Sequence, residues 1–184
     1  MRNSPRNILR LKPGIFFISL LTIILISSCK KNESPVEPVA ETSSWVQQNS
    51  NITNNLKSVY FTDILTGYAC GNSFPNDTNK LVKTTNGGVN WFRQPVTASE
   101  ASLNCVYFID GLTGFAAGSF GVILKTTNAG ETWSQKYDLN TIVLYDVKFF
   151  DGSKGIACGT SGTILKTSDG GETWQPVNSG VTAA

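Results

Sequence analysis

The chain of 184 residues contains no histidine. That absence removes the side chain that most often acts as a general base, and with it the Ser/His and Cys/His pairs of nucleophilic catalysis. It also removes the commonest metal ligand. The four cysteines include no closely spaced pair, so neither a structural metal site nor a cofactor is expected. Arginine is scarce: Arg2, Arg6 and Arg10 stand near the start, and Arg93 is the only other one. With 15% of residues charged and no basic stripe, the chain has no electrostatic footprint for nucleic acid. Nor does it contain the run of about 20 apolar residues that a membrane-spanning helix needs.

What is present begins with an address. Arg2, Arg6, Arg10 and Lys12 form a basic leader, followed by a twelve-residue apolar run from Ile15 to Ile26. That length fits the apolar region of a signal peptide and not a spanning helix. Ile26-Ser27-Ser28-Cys29 resembles a bacterial lipobox, which implies removal of residues 1–28 and lipid attachment at Cys29. A plain secretory signal with a nearby cleavage site is the alternative. Two or three acyl chains would anchor the protein stably, since a single chain binds marginally. The implied partner is a membrane, and the implied location is a bacterial envelope, at the outer membrane or a periplasmic or extracellular face. Residues 29–44 contain Pro35, Pro38 and three glutamates and read as a tether. Loss of residues 1–28 removes three arginines and one lysine, which turns the net charge from +2 to −2. Residues 45–184 have the size of one domain.

Within that domain one stretch recurs three times. Lys83-Thr-Thr-Asn-Gly-Gly-Val-Asn-Trp91 returns as Lys125-Thr-Thr-Asn-Ala-Gly-Glu-Thr-Trp133 and as Lys166-Thr-Ser-Asp-Gly-Gly-Glu-Thr-Trp174. The spacings are 42 and 41 residues, and a period near forty signals a repeat architecture. Thr84, Thr126 and Thr167 open each copy. Asn86, Asn128 and Asp169 can accept backbone N–H bonds and hold a turn. Gly88, Gly130 and Gly171 suit a position with φ > 0, and Ala129 shows that the preceding glycine is optional. Trp91, Trp133 and Trp174 are expected to begin a return strand and to bury their indoles. Because Asn replaces Asp in two copies, the position reads as a turn clamp, not as a catalyst or ligand.

The rest of the repeat alternates as strands do. Leu56-x-x-Val59-x-Phe61, Leu103-x-x-Val106-x-Phe108 and Leu144-x-x-Val147-x-Phe149 give a first strand. Gly67–Gly71, Gly114–Gly118 and Gly155–Gly159 give a second, the apolar pair before each Lys-Thr a third, and the Trp-led segment a fourth. Four short antiparallel strands per forty residues describe a β-propeller blade in an all-β fold. The turns resemble Asp-boxes, the bacterial neuraminidase repeat. Together with the Thr-Gly-Tyr/Phe-Ala stretches, the blades most resemble the photosystem II assembly and stability factor repeat proteins. Only the third copy keeps the Asp of the Asp-box pattern.

That resemblance implies a noncatalytic scaffold that binds protein or peptide. A glycan-binding module and, third, a glycoside hydrolase are the alternatives, the latter because carboxylates alone can form a glycosidase pair. A sialidase is not expected, because that family's arginine triad is missing. Asp63, Asp110 and Asp151 recur at a turn entrance and read as structural. Blade one carries five extra residues between its second and third strands, and Phe74, Pro75 and Asp77 there form a candidate binding loop. Cys70, Cys105 and Cys158 read as small buried residues. Trp174–Ala184 aligns with Trp45–Asn55, so the expected contents are one lone fourth strand and three blades. Three blades make an open or incomplete propeller, expected either to pair as a homodimer into a six-blade ring or to represent a piece of a longer propeller.

Overall fold

The computed structural model describes residues 46–73, 80–96, 101–178 and 180. Every described residue lies in one compact unit, Trp45–Ala184. The described residues form twelve strands. Blade one contains β1 (Leu56–Phe61), β2 (Gly67–Gly71), β3 (Leu81–Thr84) and β4 (Phe92–Arg93). Blade two contains β5 (Leu103–Phe108), β6 (Gly114–Gly118), β7 (Ile123–Thr126) and β8 (Ser134–Tyr137). Blade three contains β9 (Leu144–Phe149), β10 (Gly155–Gly159), β11 (Ile164–Thr167) and β12 (Gln175–Val177). Each blade is an antiparallel sheet with strands in chain order, and the three stand side by side as an open arc of propeller blades. Each tryptophan precedes its fourth strand by one residue; its backbone still belongs to the turn.

The blades join through their faces. Strand residues alternate in direction, so each blade presents one apolar set backwards and another forwards. Tyr68, Cys70 and Leu81 of blade one share a core with Leu103, Val106, Phe108, Leu124 and Trp133 of blade two. Cys105, Phe115, Ala117 and Ile123 of blade two share the next core with Leu144, Val147, Leu165 and Trp174 of blade three. Strand β6, covered on both sides, is buried along its whole length. Its closing glycine is dictated by space: a Cβ on Gly118 would lie 1.9 Å from the Ser102 carbonyl, as one on Gly71 would from Asn55.

A bulge in each first strand adds a link between blades. Register shifts fall between Leu56 and Ser58 and between Leu103 and Cys105, and a bulge re-aims the extra side chain. Lys57 Nζ donates to Asn104 Oδ1 at 2.7 Å, and Asn104 Nδ2 donates to the Leu144 carbonyl at 2.7 Å. The two side chains thus run from blade to blade across the first strands.

Cysteine behaviour follows position in the arc. Cys70 and Cys105 are buried free thiols, whereas Cys158 is exposed, contrary to the expectation of burial. The reason is that Cys158 lies on the back of blade three, which no further blade covers here.

Candidate functional site

The three recurring turns are built alike. Thr84, Thr126 and Thr167 end their third strands with buried side chains. Each Oγ1 accepts the backbone N–H four residues on, from Gly88, Gly130 and Gly171, at 2.9 Å in every case. Each hydroxyl then donates to the residue at the Asn/Asp position: Asn86 Oδ1 at 3.0 Å, Asn128 Oδ1 at 2.9 Å and Asp169 Oδ1 at 2.8 Å. That oxygen also accepts the amide of Asn90, Thr132 or Thr173. In the third turn Thr173 Oγ1 adds a 2.6 Å bond to Asp169 Oδ2, and this bond leads the donors that hold the carboxyl well below the usual range. In the second, Asn128 Nδ2 donates to Thr132 Oγ1 at 2.9 Å, so a hydroxyl serves either partner.

The backbone explains the glycines. Gly88, Gly130 and Gly171 have φ of 91°, 79° and 79°, and the residues before them, Gly87, Ala129 and Gly170, are also left-handed. Ala129 accepts that conformation at φ 55° despite its Cβ. The turn also holds the first hairpin of its own blade, because Gly87, Ala129 and Gly170 donate to the carbonyls of Leu65, Leu112 and Ser153. Those hairpins are clamped by Asp63, Asp110 and Asp151, whose Oδ1 atoms each accept two backbone amides at 2.6–2.8 Å. Backbone donors lower the Asp63 and Asp110 carboxyls, and the Ser153 hydroxyl leads those that bring Asp151 to about 2. Asp63, Asp110, Asp151 and Asp169 are therefore all engaged in holding backbone.

Strand patterning alone does not show what the turn glycine faces. A Cβ on Gly130 would lie 2.9 Å from the Tyr68 ring, and one on Gly171 would lie 2.3 Å from the Phe115 ring. The glycine leaves room for an aromatic side chain from the preceding blade. That ring stacks on the phenylalanine ending the next first strand: Tyr68 on Phe108 at 4.1 Å and Phe115 on Phe149 at 4.3 Å. Tyr68 OH and Lys83 Nζ both donate to the Ala129 carbonyl at 2.7 Å, and burial raises the Tyr68 hydroxyl to about 12. At the second joint Glu172 bridges Lys125 Nζ at 2.6 Å and Lys136 Nζ at 2.7 Å. The sequence signal was available: an aromatic residue follows the opening glycine of the second strand in blades one and two.

Residues 46–52 border the uncovered front of blade one. Asn51 Nδ2 donates to the Trp91 carbonyl at 3.2 Å, and Arg93 Nη2 donates to the Asn51 carbonyl at 3.1 Å. Between this segment and the sheet runs a groove of about 360 Å³ lined by Gln48, Ser50, Leu56, Val59, Ala69 and Trp91. Cys29 and the loop residues Phe74, Pro75 and Asp77 lie outside the described residues, as does Trp45. Among the described residues no cluster of Cys, Asp and Glu is arranged to hold a metal ion.

Stacked four-stranded blades with Thr-anchored Asn/Asp turns define an Asp-box β-propeller repeat protein. The chain belongs to the photosynthesis system II assembly factor YCF48 family, whose model matches residues 37–142, more than half of it. Among solved structures it is similar to YCF48 bound to D1 peptide, with 24% identity and a TM-score of 0.59 over 71% of this chain and 42% of that one. It is also similar to YCF48 from Cyanidioschyzon merolae, with 20% identity and a TM-score of 0.56 over 67% of this chain and 39% of that one. An ancestral GH74 enzyme matches at 18% identity and a TM-score of 0.57, over 70% of this chain and 19% of that one. The chain thus spans less than half the length of each of these structures, and at such identities the likeness shows the fold. No curated protein matches the sequence.

Proposed function

We propose that this chain is a noncatalytic scaffold that binds a protein or peptide segment at a bacterial envelope membrane, held there by lipid on Cys29. The observation that carries the binding half is membership of the YCF48 assembly-factor family, together with a likeness to a member solved with a bound peptide. The geometry supports the noncatalytic half: Asp63, Asp110, Asp151 and Asp169 recur at matching places and accept backbone amides on exposed turns. The anchoring half rests on the leader and on Ile26-Ser27-Ser28-Cys29. The likeness to a GH74 enzyme speaks only for the fold, because function lies in sites and not in architecture.

The test pairs two measurements on the full chain. Anisotropy titrations against an array of synthetic peptides should find saturable binding, and immobilised glycans should retain nothing. Saturable glycan retention without peptide binding would overturn the scaffold reading. Labelled-fatty-acid incorporation that survives Cys29→Ser would overturn the anchor.

A further inference from the structure

The joint between blades two and three contains parts that the joint between blades one and two lacks. Lys125 is 9% exposed, so its ammonium is held almost out of water. At the other joint the matching Lys83 is half-buried and takes a backbone carbonyl, that of Ala129 at 2.7 Å. Lys125 reaches a side chain instead, Glu172 Oε1 at 2.6 Å, and Glu172 is itself 51% exposed. A second lysine comes from a bulge. Strand β8 pairs Gln135 with Leu124 and Tyr137 with Ile123, so Lys136 is the extra residue; the fourth strands of blades one and three pair without such a shift. Bulges re-aim side chains, and here Lys136 Nζ meets Glu172 Oε2 at 2.7 Å.

These groups line a pocket of about 290 Å³ whose donors outnumber its acceptors. Two ammoniums face one carboxylate, and among the described residues neither lysine forms another ion pair. Thr127 and Thr132 add hydroxyls to the wall. Thr132 Oγ1 accepts from Asn128 Nδ2 at 2.9 Å, which leaves its own proton to give. A surplus of donors and one net positive charge suit an anion. The molecule also shows the shape of that anion. One oxygen of Glu172 goes to each lysine, so the two ammoniums are spaced to match a carboxylate.

We propose that this pocket binds an acidic side chain of a peptide segment, and that Glu172 takes the place of that side chain while no peptide is bound. The inference rests on the reading of the chain as a peptide-binding scaffold, and it names where the peptide is held and what in it is recognised. Glu172 stands on an exposed turn, where leaving an ion pair for water costs little. Lys125 is buried and cannot follow it into solvent, so its ammonium keeps the need for a carboxylate. Strand β8, which brings Ser134 and Lys136 to the pocket, is the edge strand of its sheet. An extended peptide laid along that edge has backbone groups to pair with it, and its alternate side chains point toward the joint. A small free anion gains nothing from the edge.

Amide chemical shifts of the full chain carrying Cys29→Ser, followed to millimolar ligand, test this directly. The probes are a capped alanine peptide with one central glutamate, its glutamine counterpart, an alanine peptide with a free carboxyl terminus, and inorganic phosphate. The glutamate peptide should move the Thr132 and Ser134 amides saturably, and the glutamine peptide should leave them still. Lys136→Gln should weaken the binding about threefold or more. Glu172→Gln should tighten it by a similar factor, because the internal carboxylate no longer competes. Both side chains lie outside the cores between blades, so the melt of either variant should stay close to that of the parent. Unchanged or weaker binding in Glu172→Gln overturns the proposal, since that is the behaviour of a residue that only ties two blades together. So does tighter binding of phosphate or of the free carboxyl terminus than of the glutamate peptide. If peptides from the array bind but leave Thr132 and Ser134 unmoved, the scaffold reading stands and this pocket falls; if no peptide binds anywhere, both fall.

Discussion

Replacing Gly171 with alanine isolates what the turn glycine does. Two costs apply. The first is conformational: at φ 79° an L-residue is strained by roughly 1–2 kcal/mol. The second is steric. The new Cβ would lie 2.3 Å from Phe115 Cε1 and 2.8 Å from its Cζ. The ring cannot retreat, because it is fully buried, stacks on Phe149 at 4.3 Å and meets Trp174 edge-on. Forcing an extra methyl into such packing costs about 1–3 kcal/mol. Gly171→Ala should therefore destabilise by roughly 2–5 kcal/mol in total. Gly170→Ala is the control: its φ is 71°, but the nearest atom to its Cβ is the Gly152 carbonyl oxygen at 3.2 Å, and Ala129 already fills that position in blade two. It should cost only the conformational part, about 1 kcal/mol. Urea titration of both variants measures the difference. Because Phe115→Leu removes the obstructing ring edge, the double variant should lose less than the sum of the two singles. Equal midpoints for Gly171→Ala and Gly170→Ala would refute the socket argument.

Thr126→Val keeps the shape but strips the acceptor from the buried Gly130 amide, and should cost about 1–3 kcal/mol in the same titration. Acid should weaken the fold through its clamps. The Asp151 and Asp169 carboxyls are lowered by folding, so their contribution is complete above the ordinary value of 3.8 and is lost as pH falls, through about 2 for Asp151. Asp169→Asn, which copies the natural Asn128, should leave the melt at pH 7 nearly unchanged and make the loss of stability below pH 4 shallower; an unaltered acid profile contradicts the assignment. Cys29→Ser should release the protein from membranes into the soluble fraction, as read by fractionation. Purified protein should show no sialidase turnover, and activity independent of Arg93 would contradict the reading of the missing arginines.

Blade architecture was legible because its signals are local. Alternation in Leu-x-x-Val-x-Phe, the glycines around each second strand and the Lys-Thr-x-Asn/Asp turn all act within one hairpin, where side-chain direction and φ follow from neighbouring residues. The single-residue bulge after Leu56 and Leu103 was not legible, since nothing in Lys57 or Asn104 marks an extra residue. Nor was the strand start after each tryptophan, where turn and strand share a residue. The joints were half legible. The burial of Phe108 and Phe149 could be expected from alternation, but their stacking partners lie about forty residues earlier, in a different hairpin. Pairings of that kind become visible only when the repeat is read as a surface that must fit its own copy.

That constraint explains why the third blade departs from the others where it does. Its front must match blade two, and it keeps Leu144, Val147, Phe149 and Trp174. Beside those residues it carries Asp146 and Lys148, 3.0 Å apart, with Lys148 Nζ 4.8 Å from the centre of the Tyr107 ring of blade two, and it has isoleucine in place of the aromatic ring of the second strand. The ion pair itself contributes little stability, at most about 1 kcal/mol, but Asp146 Oδ1 also accepts the Val147 amide at 2.9 Å, so the carboxylate holds backbone within its own blade. The front of the first blade remains wholly apolar, with Val59 and Phe61 in solvent.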